Sequence, residues 1–158
     1  MWRSSSNRWK ARSIGDARLR EPAHLRHPRA EQHERSRAWL EATLSGAELV
    51  RFAWLTLWTF FRISTNPRVF ERPLSTAEAE RAISSWLAQP SAGILEPGER
   101  HWDILRSLVR EGQIAGPLVT DAALAAIALE HGATLCTTDR DFARFPRLKW
   151  TNPLAAGG

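Results

Sequence analysis

The 158-residue chain has a single cysteine and two lysines, and no apolar run approaches the roughly 18 residues of a membrane-spanning helix. One cysteine excludes an internal disulfide and fits a reducing compartment. The first residues lack the apolar stretch of a secretory signal. These absences predict a soluble, cytoplasmic protein without a membrane segment, and the length suits one domain that buries its own core.

The positive charge is concentrated in the first quarter of the chain. Residues 1–37 hold ten basic and four acidic residues, and the remainder holds twelve and thirteen. The basic segment could bind nucleic acid by displacing counterions. Residues 1–26 contain no run of three apolar residues, however, and such a segment cannot bury enough area to offset its ordering entropy. We therefore predict an aberrant, disordered segment over residues 1–26 and a folded domain over 27–154.

Helical and strand-like segments alternate along the folded part, as in an α/β domain with a parallel sheet. Strands are predicted at 48–53, 93–95, 118–120, 135–137 and 148–150, and helices at 31–44, 54–64, 99–111 and 121–132. A further helix is predicted from the Ser75–Glu78 segment to Pro90. The helix at 54–64 is apolar on most sides and should be largely buried. The 99–111 helix should turn Trp102, Leu105 and Leu108 inward. Ser75 and Glu78 form a capping-box pattern.

Three aspartates stand where this pattern would bring them together. Asp139 and Asp141 follow the strand 135–137, and Asp121 follows the apolar run 118–120 at the start of an Ala-rich helix. Ligands bind at the carboxyl edge of an open parallel sheet, and converging carboxylates suit Mg²⁺ or Mn²⁺. Simpler interpretations are a helix N-cap for Asp121 and a solvated turn for the other two.

Other unusual residues point less strongly to chemistry. Cys136 lies in an apolar strand, which predicts a small buried hydrophobe rather than a nucleophile. The eight tryptophans are predicted to serve mainly as core and surface-covering residues.

An ordered series of motifs resembles one subgroup of the PIN-domain VapC toxins, which carries a Thr-Asn-Pro motif. The resemblance runs from about His27 to Leu154. The motifs are Arg62–Phe70, Pro73–Ser75, Trp86-Leu87, Pro97–His101, Thr120–Ala122, Thr138–Phe145 and Trp150–Leu154.

The resemblance implies a three-layer α/β/α domain with about five parallel strands and a Mg²⁺-dependent endoribonuclease, with Mn²⁺ as a second possible ion. It implies a type II toxin–antitoxin system, an RNA substrate and a VapB-like antitoxin, and we expect a homodimer. Asp121, Asp139 and Asp141 match the family's acidic positions, as metal ligands and catalytic residues. Many members have a further acid before the Thr-Asn-Pro motif, and Thr59 stands at that position here.

The first strand of the family is not recognisable. That strand is apolar, central and followed by a metal-binding aspartate, whereas residues 19–26 include Pro22 among charged residues. Proline cannot donate to a central ladder, and unpaired charges are costly in a buried sheet. We expect the first central strand to be missing or degraded. Asp16 could be aligned with the absent aspartate, but its spacing to His33 is too long.

The genetic code offers an explanation. Residues 20–26 can be encoded CGC GAA CCT GCT CAT CTA CGC, which one base later gives Ala-Asn-Leu-Leu-Ile-Tyr-Ala, the expected strand. Our hypothesis is an out-of-frame segment, from a genuine frameshift or a sequencing error. The alternative function is then a catalytically impaired remnant that at most binds an antitoxin or itself. A phosphotransferase using Asp-x-Asp is disfavoured, because such enzymes place the pair after an N-terminal strand.

Overall fold

The computed structural model describes residues 2–5, 8–11 and 28–155, with side chains described from residue 34 onward. The helices are α1 (Pro28–Leu44), α2 (Trp54–Ser64), α3 (Thr76–Leu87), α4 (His101–Glu111) and α5 (Leu118–Glu130), and a 3₁₀ helix spans Arg140–Arg144. The strands are β1 (Trp2–Ser5), β2 (Arg8–Ala11), β3 (Leu49–Ala53), β4 (Ala92–Leu95), β5 (Ala133–Cys136) and β6 (Lys149–Thr151). Within these ranges no helix is long and apolar enough to cross a membrane.

One sheet organises the fold, with strand order β4-β3-β1-β2-β5-β6. β3 pairs in parallel with β4, and β5 pairs in parallel with β6. β1 is antiparallel to both β3 and β5, so these two strands run in the same direction. The carboxyl ends of β3, β4, β5 and β6 therefore lie at one edge of the sheet, as the α/β interpretation predicted.

Buried side chains cover both faces of the sheet. Val50 and Phe52 of β3 pack in a cluster with α1 and α2, against which Trp86 of α3 lies. Ala53 belongs instead to a larger cluster built from α4, α5 and β5. Because successive strand residues point to opposite faces, this division places α1 to α3 on one side and α4 and α5 on the other. The predicted three-layer α/β/α architecture is confirmed.

The centre of the sheet differs from the sequence-based expectation. We predicted no central strand from the first residues, whereas β1 and β2 form a hairpin there, with Arg3 opposite both Lys10 and Thr134. That prediction is wrong for these eight residues. The flanking backbones of β3 and β5 need partners for their N–H and C=O groups, whatever the side chains of the inserted segment. Residues 12–27, including Asp16 and Pro22, lie outside the described residues, and their predicted disorder stays a prediction.

The apolar run 118–120 is helical, so the predicted strand there is wrong. Gly116 has a φ of +60°, and Pro117 is the N-cap residue of α5. The turn at Gly116 reverses the chain, and the fixed φ of proline suits a helix start. The helix therefore begins three residues before Asp121, which is not its N-cap.

Two aromatic predictions also fail. Trp54 and Trp58 of α2 are exposed by 38% and 64%, and Trp102 of α4 by 66%. The buried face of α2 consists of Thr56, Leu57, Phe60 and Ser64. The helix α2 thus has more apolar side chains than its buried face can hold, and the remaining ones, including Trp54 and Trp58, lie on the surface. The Ser75–Glu78 capping box is present as predicted.

Candidate functional site

The strand β5 carries the chain from the core to the sheet edge. All four of its residues are buried, Cys136 among them, and Thr137 after it is 0% exposed. The backbone N–H of Thr137 donates to the carbonyl oxygen of Thr151 at 3.0 Å, which extends the pairing with β6. This anchoring fixes where the next residues leave the sheet, directly at its carboxyl edge.

Asp139 and Asp141 lie on the first turn beyond this edge, and both are exposed. The Asp139 N–H donates to the Thr137 hydroxyl at 3.0 Å. The Asp141 N–H donates to Oδ1 of Asp139 at 2.8 Å, so Asp139 caps the 3₁₀ helix. The solvated-turn interpretation therefore describes part of what Asp139 does. An ionised carboxylate has about four acceptor sites, so one cap bond does not exhaust it.

Asp121 lies in the first turn of α5 and is half-buried. Burial raises the pKa of its carboxyl, and the negative charges of Asp139 and Asp141 raise that pKa further. Arg144 opposes them and lowers it. The fold thus brings the three predicted aspartates into one electrostatic environment, although Asp121 is separated from the other two by a helix and a strand.

Arg144 is a member of this environment that the sequence analysis missed. Its guanidinium donates to Oδ1 of Asp141 at 3.1 Å and, through Nε, to the Asp141 carbonyl oxygen at 3.0 Å. The spacing of three residues places both side chains on one side of a helical turn, and that spacing was the available signal. Thr137 was likewise predicted only as a strand residue.

The donor chemistry fits a hard divalent cation, since carboxylate oxygens are the ligands that Mg²⁺ prefers. Mg²⁺ commonly keeps several waters and takes one or two carboxylates. Among the side chains described from residue 34 onward, no group of three or more His, Cys, Asp or Glu has the geometry of a complete metal site. What the structure provides is therefore three carboxylates whose charges act on one another, rather than a finished metal site.

Two further positions bear on this site. Thr59, which stands where the resemblance led us to look for a further acid, is half-buried on α2 and has no carboxylate. Asp16 lies outside the described residues, so its relation to the three aspartates stays open to experiment.

Comparison with protein families identifies the domain. The PIN domain model matches residues 23–148. That range contains Asp121, Asp139 and Asp141, whereas Asp16 lies before it.

Several curated proteins are similar over most of this chain. Ribonuclease VapC37 of Mycobacterium tuberculosis is 42% identical over 126 residues, which cover 80% of this chain and 88% of that protein. Ribonuclease VapC33 of the same organism is 42% identical over 123 residues, 78% of this chain and 86% of that protein. Ribonuclease VapC31 is 37% identical over 127 residues, 80% and 87% of the two chains. With the domain match and an α/β/α fold that agrees with it, the chain belongs to the PIN-domain family.

Proposed function

We propose that this protein is a Mg²⁺-dependent endoribonuclease toxin of a VapBC-like type II toxin–antitoxin system, cleaving RNA phosphodiester bonds. The observation that supports it most is the placement of Asp121 in the first turn of α5 and of Asp139 and Asp141 on the turn after β5, at the carboxyl edge of a PIN-domain sheet. The names of its relatives, all ribonucleases, support the reaction class.

In this proposal Asp121, Asp139 and Asp141 would hold the cation, and their carboxylates would help to take up the proton released by the attacking water. A bound divalent cation supplies activation of water and neutralisation of charge on the phosphate oxygens. Asp139 is fixed by its bonds to Thr137 and to the Asp141 N–H, which limits how far the acidic turn can move. Arg144 holds Asp141 in place through their ion pair. In this proposal its positive charge also attracts the phosphate groups of the RNA.

The partners follow from the same family relation. We propose a VapB-like antitoxin as the neutralising partner, a homodimer as the assembly, and RNA in the cytoplasm as the target. The single buried cysteine, which needs no oxidising compartment, agrees with that location.

Cleavage of labelled RNA with Mg²⁺, with Mn²⁺ and with EDTA tests the proposal. The variants are made in a chain whose residues 19–26 are replaced by an apolar strand with its aspartate, because we expect full activity only in that form. In that background Asp141→Asn should abolish EDTA-sensitive cleavage, because a carboxylate ligand is lost. Asp103→Asn is the matched control, since Asp103 also forms an exposed i,i+3 pair with an arginine, Arg106, at 2.8 Å. Asp103→Asn should cleave like the parent. Loss of cleavage in both variants, or in neither, would contradict the assigned site.

A second candidate is a catalytically impaired PIN domain that retains at most antitoxin or self binding. Two observations favour it: residues 19–26 do not have the sequence of an apolar strand ending in an aspartate, and no complete three-ligand group is found among residues 34–155. The same assay separates the candidates, since an impaired domain would give no EDTA-sensitive cleavage while still binding a VapB-type peptide.

A further inference from the structure

The outward face of α2 carries two tryptophans and an arginine in line. Trp54, Trp58 and Arg62 are spaced four residues apart, so they follow one another along a single helix face. All three are exposed. The indole rings of Trp54 and Trp58 lie nearly parallel, with centroids 6.4 Å apart and an interplanar angle of 19°. Large exposed aromatic surfaces in a soluble domain usually mark a binding site.

The pair is held in place from outside the helix. The Nε1 of Trp54 donates to Oε1 of Glu96 at 3.0 Å, in the segment directly after β4. This bond fixes the ring of Trp54. Its neighbour in the pair, Trp58, is 64% exposed to solvent. The bond to Glu96 thus preorders a flat apolar surface, which lowers the entropy lost when a ligand stacks on it.

The face begins at the edge of the sheet that carries the aspartates. Trp54 directly follows β3, and Asp139 follows β5 by three residues. β3 and β5 run in the same direction and are separated by the hairpin of β1 and β2, a lateral distance of roughly 10–15 Å at normal strand spacing. Trp54 and the acidic turn after β5 therefore lie at the same edge of the sheet.

We propose that Trp54, Trp58 and Arg62 form a stacking platform for unpaired bases of single-stranded RNA leading to the carboxylate site, an inference that rests on the proposed ribonuclease function. Proteins read unpaired bases by stacking them on aromatic side chains, and cations alongside contact the phosphates. A pair of near-parallel indoles with Arg62 one turn further along the helix provides both elements. Trp54 and Trp58 are then positioning residues for the substrate.

Binding is measured on the full chain in EDTA, by fluorescence anisotropy of labelled single-stranded RNA, so that cleavage does not interfere. Trp58→Leu should weaken binding by on the order of 10-fold, whereas Trp58→Phe should retain most of it. Trp102→Leu is the control, because Trp102 is equally exposed, at 66%, on α4. Arg62→Gln should reduce the salt dependence of binding. An RNA duplex of the same sequence should compete poorly.

Equal binding by the parent and Trp58→Leu would overturn the platform, while EDTA-sensitive cleavage by the parent would leave the proposed function standing. Trp58-dependent binding without any cleavage by the present chain would support the platform together with the impaired-domain alternative. No binding by the parent would overturn the platform. A change in sedimentation of Trp58→Leu, with unchanged RNA affinity, would identify the face as a protein interface and overturn the proposal.

Discussion

Two regions of the same sheet are built in different ways. In β5 all four residues are buried, and the strand packs among Leu124, Phe142 and Leu148. In the hairpin of β1 and β2, which lies between β3 and β5, each strand has one tryptophan, and the other residues include Arg3, Ser4, Arg8 and Lys10. The first region is held by buried side chains, and the second is joined to the sheet through its backbone pairing.

The difference separates two requirements of a central strand. Pairing requires only N–H and C=O groups, and almost any extended segment supplies them. The apolar strand expected from the family resemblance would also supply apolar area and a carboxylate at its end, which the sequences of β1 and β2 do not. A continuous sheet therefore does not by itself supply the proposed metal site.

The largest loss of stability is expected from disturbing the buried side chains around β5. Phe142 is 1% exposed and packs against Phe145 with ring centroids 6.1 Å apart. Phe142→Ala should lower the free energy of unfolding by about 3–5 kcal/mol, because it leaves a cavity under the acidic turn. Urea denaturation measures it. A loss below about 1 kcal/mol would show that this region is no better packed than the hairpin.

A smaller loss should follow when backbone pairing in the hairpin is removed. Arg3→Pro deletes an N–H from β1, which lies between β3 and β2 in the sheet. We expect destabilisation of roughly 1–3 kcal/mol by denaturation. Arg3→Ala, which keeps the N–H, should have little effect. Equal stability of the two variants would mean that the hairpin does not hold the centre of the sheet in solution.

The acidic cluster should show a gain in stability when a charge is removed. The raised pKa of Asp121 means that its ionised form is disfavoured by folding, so stability falls as pH rises through the range between its unfolded and folded pKa values. At neutral pH, Asp121→Asn should raise the melting temperature by roughly 1–3 °C. Added Mg²⁺ should stabilise the parent more than the variant. A lower melting temperature for Asp121→Asn would show that repulsion is not the dominant effect.

The smallest effect concerns His101, at the contact between α4 and α5. Its Nδ1 is buried, lacks a hydrogen-bond partner among the described residues, and lies 3.9 Å from Oε2 of Glu130. Burial lowers the pKa of His101, His131 lowers it further, and Glu130 raises it. The unfolded chain therefore binds the proton more readily, and stability is lost as pH falls below about 6.5.

Chemical denaturation between pH 7.5 and 5 measures this slope. His101→Gln should flatten it, and His131→Gln should keep most of it because burial is the larger cause. An unchanged slope in His101→Gln would assign the pH dependence to other groups.

Local signals in the sequence predicted most of the fold. The bounds of α2 and the Ser75 cap were predicted to the residue, because apolar composition and capping chemistry act within one or two turns. Asp121, Asp139 and Asp141 could be proposed from their positions after apolar runs. The exposure of Trp58 could not be predicted from the sequence, since it depends on how much of α2 the sheet covers. The hairpin of β1 and β2 could not be predicted either, because backbone pairing does not require a particular pattern of side chains in the sequence.

The central claim is that a polar segment in place of the first apolar strand impairs the metal site. The most direct test compares RNA cleavage by the chain as it stands with cleavage by a variant in which residues 19–26 become an apolar strand with its aspartate. Both are assayed with Mg²⁺ and with EDTA. We predict little or no cleavage by the present chain and EDTA-sensitive cleavage by the variant, since metal-ion catalysis depends on fixed coordination. Equal, EDTA-sensitive cleavage by the two would contradict the account.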